Sequence, residues 1–118
     1  MGDFNSTPDD KGLSILTETR GSGAIIINLS EAGSGKEGTY RYMGTWELID
    51  QILVSEILLK GNSNLYTGQD LIKIFKSEFL LKNDPKYPGY SPYSTYSGYR
   101  YQGGYSDHLP VIIDLKTR

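Results

Sequence analysis

The sequence contains no cysteine and a single histidine. The first absence removes disulfides, thiolate metal sites and cysteine nucleophiles together. The second removes His-rich metal centres and leaves open hard, carboxylate-bound cations such as Mg²⁺, which need few protein ligands. An excess of positive charge is also missing: the formal net charge is -2, so no global basic field draws nucleic acid, although a local phosphate site is compatible with it. No apolar run approaches the ~20 residues that span a bilayer, and nothing has the form of a signal peptide. The 118 residues allow at most one domain with a modest core. Tyrosine is what the chain has in excess, 10 against 3 Phe and 1 Trp, and most of it crowds one region near the C-terminus.

Local signals predict a mixed α/β chain without repeats. Thr7-Pro8-Asp9-Asp10 is a helix-start pattern, with Thr7 as cap, Pro8 in the first turn and two acids at the positive helix end. Leu13 and Leu16 then give a short apolar face up to Thr17. "AIIINL", between glycine-rich flanks, is either a short buried strand or a helical turn, since periodicity does not separate the two. "TYRYMGTW" alternates like a strand, and "ELIDQILVS" is the clearest strand in the sequence. "GQDLIKIFKSEFLL" places Leu71, Ile72, Phe75 and Phe79 at helical spacing. "KYPGYSPYSTYSGYRYQGGY" has loop composition. "HLPVIIDLK" closes as a strand, with Pro110 near its start where a missing N–H is tolerated.

Few residues invite chemistry. Asp50, inside "LIDQILV", is costly as an ionised group unless paired; it is either a strand-end residue facing solvent or a site residue. His108 follows Asp107 and precedes an apolar strand, a position that is often structural. A buried acid such as Asp50 beside it would orient the imidazole for phosphate binding or acid–base work. Asp3 and Asn5 stand two apart at the start of the chain, so on a strand end both point to one side. "EAGSGKEG" fails as a phosphate loop, with Ser30 where a glycine is required and Glu37 after Lys36; "RGSGAI" lacks the third glycine of a dinucleotide fingerprint. The tyrosines pack on the domain as a rigid loop or form a rim that stacks bases, sugars or lipid head groups.

Taken in order, "GDFN" at 2–5, "GTYRYMGTWELIDQILVS" at 38–55 and "GGYSDHLPV" at 103–111 resemble the endonuclease/exonuclease/phosphatase family. This metal-dependent phosphodiesterase superfamily includes pancreatic deoxyribonuclease, abasic-site endonucleases, sphingomyelinases and inositol polyphosphate phosphatases. The C-terminal style is similar to that of bacterial members. The resemblance implies that Asp3 orients or deprotonates the attacking water and that Asn5 holds the scissile phosphate. It implies that His108 binds a phosphate oxygen with Asp50 as its buried partner, and that Asp107 lies at the metal end. The implied cofactor is Mg²⁺ or Mn²⁺, and the implied substrate a phosphoester: nucleic acid, lipid head group or small molecule.

The resemblance also implies a fold, an α/β (α+β) four-layered α/β/β/α sandwich with mixed, mostly antiparallel sheet and short helices. The principal metal-binding glutamate of the family has no counterpart in this sequence. Residues 1–118 are therefore expected to be the C-terminal half of such a domain, nearly inactive alone. A sheet built to pack on another sheet implies a homodimer or association with the missing N-terminal half. The alternative is a non-catalytic binding module that uses the tyrosine-rich loop. Compartment stays open.

Overall fold

A computed structural model of the chain describes residues 1–18, 24–33, 37–61 and 63–118. The glycines of "RGSGAI" and the "SGK" of the false phosphate loop lie outside the described residues. The described part is mixed α/β, with short strands paired antiparallel two by two and few, short helices.

The first half runs β1 (Gly2–Asp3), α1 (Lys11–Thr17), β2 (Ile26–Asn28), a 3-10 turn, β3 (Tyr40–Tyr42), β4 (Thr45–Glu47), β5 (Asp50–Gln51), β6 (Leu53–Ser55) and α2 (Glu56–Lys60). The second half runs β7 (Leu65–Tyr66), β8 (Ile72–Ile74), β9 (Leu81–Asn83), β10 (Tyr90–Pro92), β11 (Tyr96–Ser97), β12 (Arg100–Tyr101), β13 (Val111–Ile113) and β14 (Lys116–Thr117). β1 pairs with β5, β2 with β6, β3 with β4, β7 with β14, β8 with β13, β9 with β10 and β11 with β12. Leu13, Leu29, Leu48, Ile49, Ile52 and Leu109 form the buried apolar core. Burying each such side chain is worth about 1.5–3 kcal/mol. They converge from α1, the turn after β2, the β4–β5 junction and the segment after His108.

Local chemistry explains most of these elements, and corrects some expectations. The strand-like "TYRYMGTW" is a two-residue hairpin: Met43 and Gly44 both take positive φ, 47° and 84°, the twist that lets β3 and β4 stay paired. "AIIINL" resolves as strand β2 running into a 3-10 turn. α1 begins at Lys11, after rather than within the Thr7-Pro8 start signal; Asp10 Oδ2 accepts from Thr7 N at 2.7 Å and Thr7 Oγ1 at 3.2 Å, closing a turn ahead of the helix. "ELIDQILVS" is broken at Ile52, because Ile52 N bonds Ser30 Oγ at 3.1 Å instead of continuing a ladder.

The helix expected at "GQDLIKIFKSEFLL" does not form. Ile72 and Ile74 sit opposite Ile113 and Val111 in an antiparallel ladder, while Lys73 points outward beside Asp114 at 3.5 Å. Period two therefore wins over period 3.6, since the closing apolar strand supplies a partner that local spacing does not reveal. The tyrosine-rich stretch, read as loop, carries β10 and the β11–β12 hairpin. Its rings divide: Tyr87 and Tyr93 are half-buried, whereas Tyr90, Tyr96, Tyr99, Tyr101 and Tyr105 are exposed.

Candidate active site

The antiparallel pairing of β1 with β5 sets Asp3 directly opposite Asp50. Residues opposed in this way project from the same face of the ladder. Phe4 N extends the pairing with a 2.9 Å bond to Ile49 O. The chain then turns at Asn5, whose φ of 48° lies in the left-handed region that asparagine tolerates better than most residues. Asn5 N donates to Asp3 Oδ1 at 2.8 Å. The carboxylate of Asp3 and the backbone of Asn5 are thus locked together by a local turn.

His108 reaches the same place from the far end of the sequence. Leu109, 2 % exposed, anchors it in the core, and Leu109 N donates to Thr39 O at 2.7 Å. His108 N donates to Ser106 Oγ at 3.1 Å, and a backbone bridge joins His108 to Tyr40. The Tyr40 ring lies against the imidazole, centroids 4.9 Å apart and planes at 34°. His108 Nδ1 and Asp50 Oδ2 are 2.7 Å apart. An ionised carboxylate only accepts, so Nδ1 carries the proton and Nε2 is the nitrogen left for a substrate oxygen.

Asp3, Asp50 and His108 each offer a ligand or acid–base atom within 4.8 Å of the others. Two carboxylates in register repel one another; the imidazole beside Asp50 offsets part of that cost. Asp50 and His108 side chains are 19 % and 23 % exposed, dry enough to strengthen the contact and open enough to meet a ligand. A cavity of about 250 Å³ opens beside Asp50 and His108, walled also by Gly2, Gln51, Ser106 and Pro110. Asp107 is exposed and lines a neighbouring cavity with Tyr40 and Tyr96; it is not part of the Asp3–Asp50–His108 group.

The donor set is compatible with a hard cation, which takes one or two carboxylates and fills its other positions with water and substrate phosphate. Asp3 supplies the exposed carboxylate. Asp50 is committed to His108, so the group as it stands is a sparse cage.

Sequence reasoning missed the residues that hold this arrangement. Gln51, 1 % exposed, donates through Nε2 to Ser6 O at 2.9 Å and Leu48 O at 2.8 Å. Its Oε1 accepts from Asn28 Nδ2 at 3.0 Å. Asn28 Oδ1 in turn accepts from Ser30 N at 3.0 Å. The network clamps the turn after Asn5 onto β5, next to Asp50. Its signal was an amide following Asp50 inside an apolar run, where a buried polar group must have partners.

On the neighbouring wall, Asp84 is held below its ordinary value of 3.8, first by the Lys86 and Tyr87 N–H groups, then by the charges of Arg41 and Lys82, with burial opposing. Arg41, 5 % exposed, lies 3.4 Å from Asp84 and donates to the carbonyls of Pro88 and Tyr90, fastening the 84–92 segment to β3.

A model of the endonuclease/exonuclease/phosphatase family matches residues 1–117. No curated protein and no solved structure gives a match. With the family model spanning nearly the whole chain, this chain belongs to the endonuclease/exonuclease/phosphatase family.

Proposed function

We propose that the chain is part of a metal-dependent phosphoesterase, in which Asp3, Asn5, Asp50 and His108 act on one phosphate group. The observation that carries this reading is the meeting of Asp3, Asp50 and His108 within 4.8 Å, from segments that are far apart in sequence. Asp3 orients the attacking water and accepts its proton. Asn5, fixed by its bond to Asp3, presents an amide to a phosphate oxygen. His108, oriented through Nδ1 by Asp50, donates as the imidazolium from Nε2 to a second oxygen and stabilises the charge that develops there. A bound Mg²⁺ or Mn²⁺ would neutralise phosphate charge, with Asp3 as its exposed carboxylate.

We further propose that these residues form the C-terminal half of a four-layered sandwich. Two features support it. The radius of gyration is 16.3 Å, above the ~13–14 Å of a compact domain this long. Ile15, Leu16, Ile25 and Ile26 are exposed along α1 and β2, as an uncovered layer would be. Completion comes from the other half of such a domain or from self-association, and turnover by these residues alone is expected to be very low.

The single histidine makes a direct test possible. Its ring resonances are followed while inorganic phosphate is titrated in with Mg²⁺ present. The proposal expects a saturable shift that is lost in Asp3→Ala and weakened in Asn5→Ala; a ring that ignores phosphate would refute it. None of the described helices is long and apolar enough to cross a membrane.

A further inference from the structure

Tyr40 joins the active cavity to a second one. Its ring packs on His108, and it also lines a cavity of about 340 Å³ bounded by Arg41, Lys82, Ser94, Tyr96 and Asp107. Tyr40 and Asp107, the latter next to His108 in the chain, thus place this second cavity on the border of the His108 site.

The walls have a particular chemistry. Arg41 and Asp84 neutralise each other at 3.4 Å, and Arg41 is pinned by two backbone carbonyls. Lys82 Nζ makes a long 3.4 Å contact with Gln102 Oε1, lies 5.6 Å from the centre of the Tyr93 ring and acts on Asp84 through its charge. Asp107 is an exposed acceptor, and Ser94 and Tyr96 add hydroxyls that both give and receive. One cation and one anion remain once the Arg41–Asp84 pair is subtracted, so the cavity has no net charge to offer.

That composition selects among occupants. A second phosphate would face Asp107 and Asp84 and gain little. An apolar tail would cover the Lys82 ammonium and the Asp107 carboxylate without giving either a hydrogen-bond partner, which is costly in a partly dry site. A neutral polyol meets every demand, with adjacent donors and acceptors and a ring face for Tyr96. The volume suits one ring, near the lower end of ordinary ligand sites.

We infer that this cavity is the alcohol subsite, and that the phosphoester acted on carries a neutral, polyhydroxylated leaving group, a sugar. The inference rests on the phosphoesterase reading above and specifies its substrate class. It is tested by calorimetric titration of the chain, with Mg²⁺, against glucose 1-phosphate, ethyl phosphate and glucose 1,6-bisphosphate. Glucose 1-phosphate is expected to bind about tenfold more tightly than ethyl phosphate, the effect of two or three added hydrogen bonds. Lys82→Gln with Tyr96→Ala should erase that difference and leave ethyl phosphate binding unchanged, which also reports that the fold survives. His108→Ala should weaken all three. Equal binding of the sugar and ethyl esters overturns the sugar subsite while sparing the phosphate site, and tighter binding of the bisphosphate overturns its neutrality. Indifference of every ligand to His108→Ala overturns the phosphoesterase reading itself.

Discussion

Asp50 and His108, 58 residues apart in sequence, stand 2.7 Å from each other through Oδ2 and Nδ1. The contact is possible because Asp50 begins β5 just after two buried residues, Leu48 and Ile49, while Leu109 plugs the core beside His108. The hydrophobic core thus acts as the jig for a polar pair.

Asp50→Asn tests the pair at minimal cost in volume. The amide accepts more weakly than a carboxylate and carries no charge, so His108 loses the partner that orients its ring while β5 keeps its ladder. We expect inorganic phosphate affinity in Mg²⁺ to fall about tenfold. Hydrolysis by the completed domain should fall by about 10²–10⁴, the usual range for loss of positioned acid–base help. Unchanged phosphate affinity and unchanged turnover would show that the contact is structural only.

Gln51→Leu removes the clamp without touching the acids. It leaves Ser6 O, Leu48 O and Asn28 Nδ2 short of partners in a buried place. The expected loss is about 2–3 kcal/mol, one or two unsatisfied buried groups after partial relaxation, read as a lower urea midpoint. Phosphate binding should weaken as well, because the turn carrying Asn5 is released. A stability loss with no change in phosphate affinity would separate the network from the site.

How far the sequence revealed this arrangement differs from segment to segment. Asp50 and His108 were legible as candidates because they interrupt or abut apolar runs, and Asp3 and Asn5 because they stand two apart in a segment that resembles a family motif. The meeting of Asp3, Asp50 and His108 was not written in any local pattern; it follows from β1 pairing with β5 and from the Tyr40–His108 bridge. The failed helix at 68–81 shows the same limit. Phe75 and Phe79 fit a helical stripe, yet both are exposed and meet edge-on at 6.3 Å, since Ile72 and Ile74 found Ile113 and Val111. Non-local pairing overrode spacing. Gln51 was passed over because its neighbour Asp50 drew attention, although a buried amide needs partners just as a buried acid does.

Gly104→Ala probes how the loop before His108 is seated. A Cβ at Gly104 would lie 2.1 Å from Tyr93 O and 2.6 Å from Ser94 O, and backbone atoms do not yield as a side-chain tip does. We expect a loss of about 1–3 kcal/mol, the common cost of overpacking. The displaced Tyr105–Asp107 segment should also shift the His108 ring resonances. A thermal midpoint and a ring spectrum identical to those of the parent would contradict this close approach.

Asp84 gives a pH dependence whose sign follows from its surroundings. Its folded value lies below 3.8, mainly because Lys86 and Tyr87 N–H groups bond the ionised form, assisted by Arg41 and Lys82. A carboxyl depressed on folding contributes stability that is present above its unfolded value and lost as pH falls through its folded value. Asp84→Asn keeps an acceptor for the two N–H groups but removes the charge facing Arg41. The variant should therefore be less stable than the parent near neutrality, with the gap closing as pH falls below about 4. Urea denaturation at a series of pH values reads this directly. A gap that stays constant from neutral to strongly acidic solution would mean that the Asp84 charge contributes nothing to holding the 84–92 segment against β3. In that event Arg41 would be fastened by the Pro88 and Tyr90 carbonyls alone.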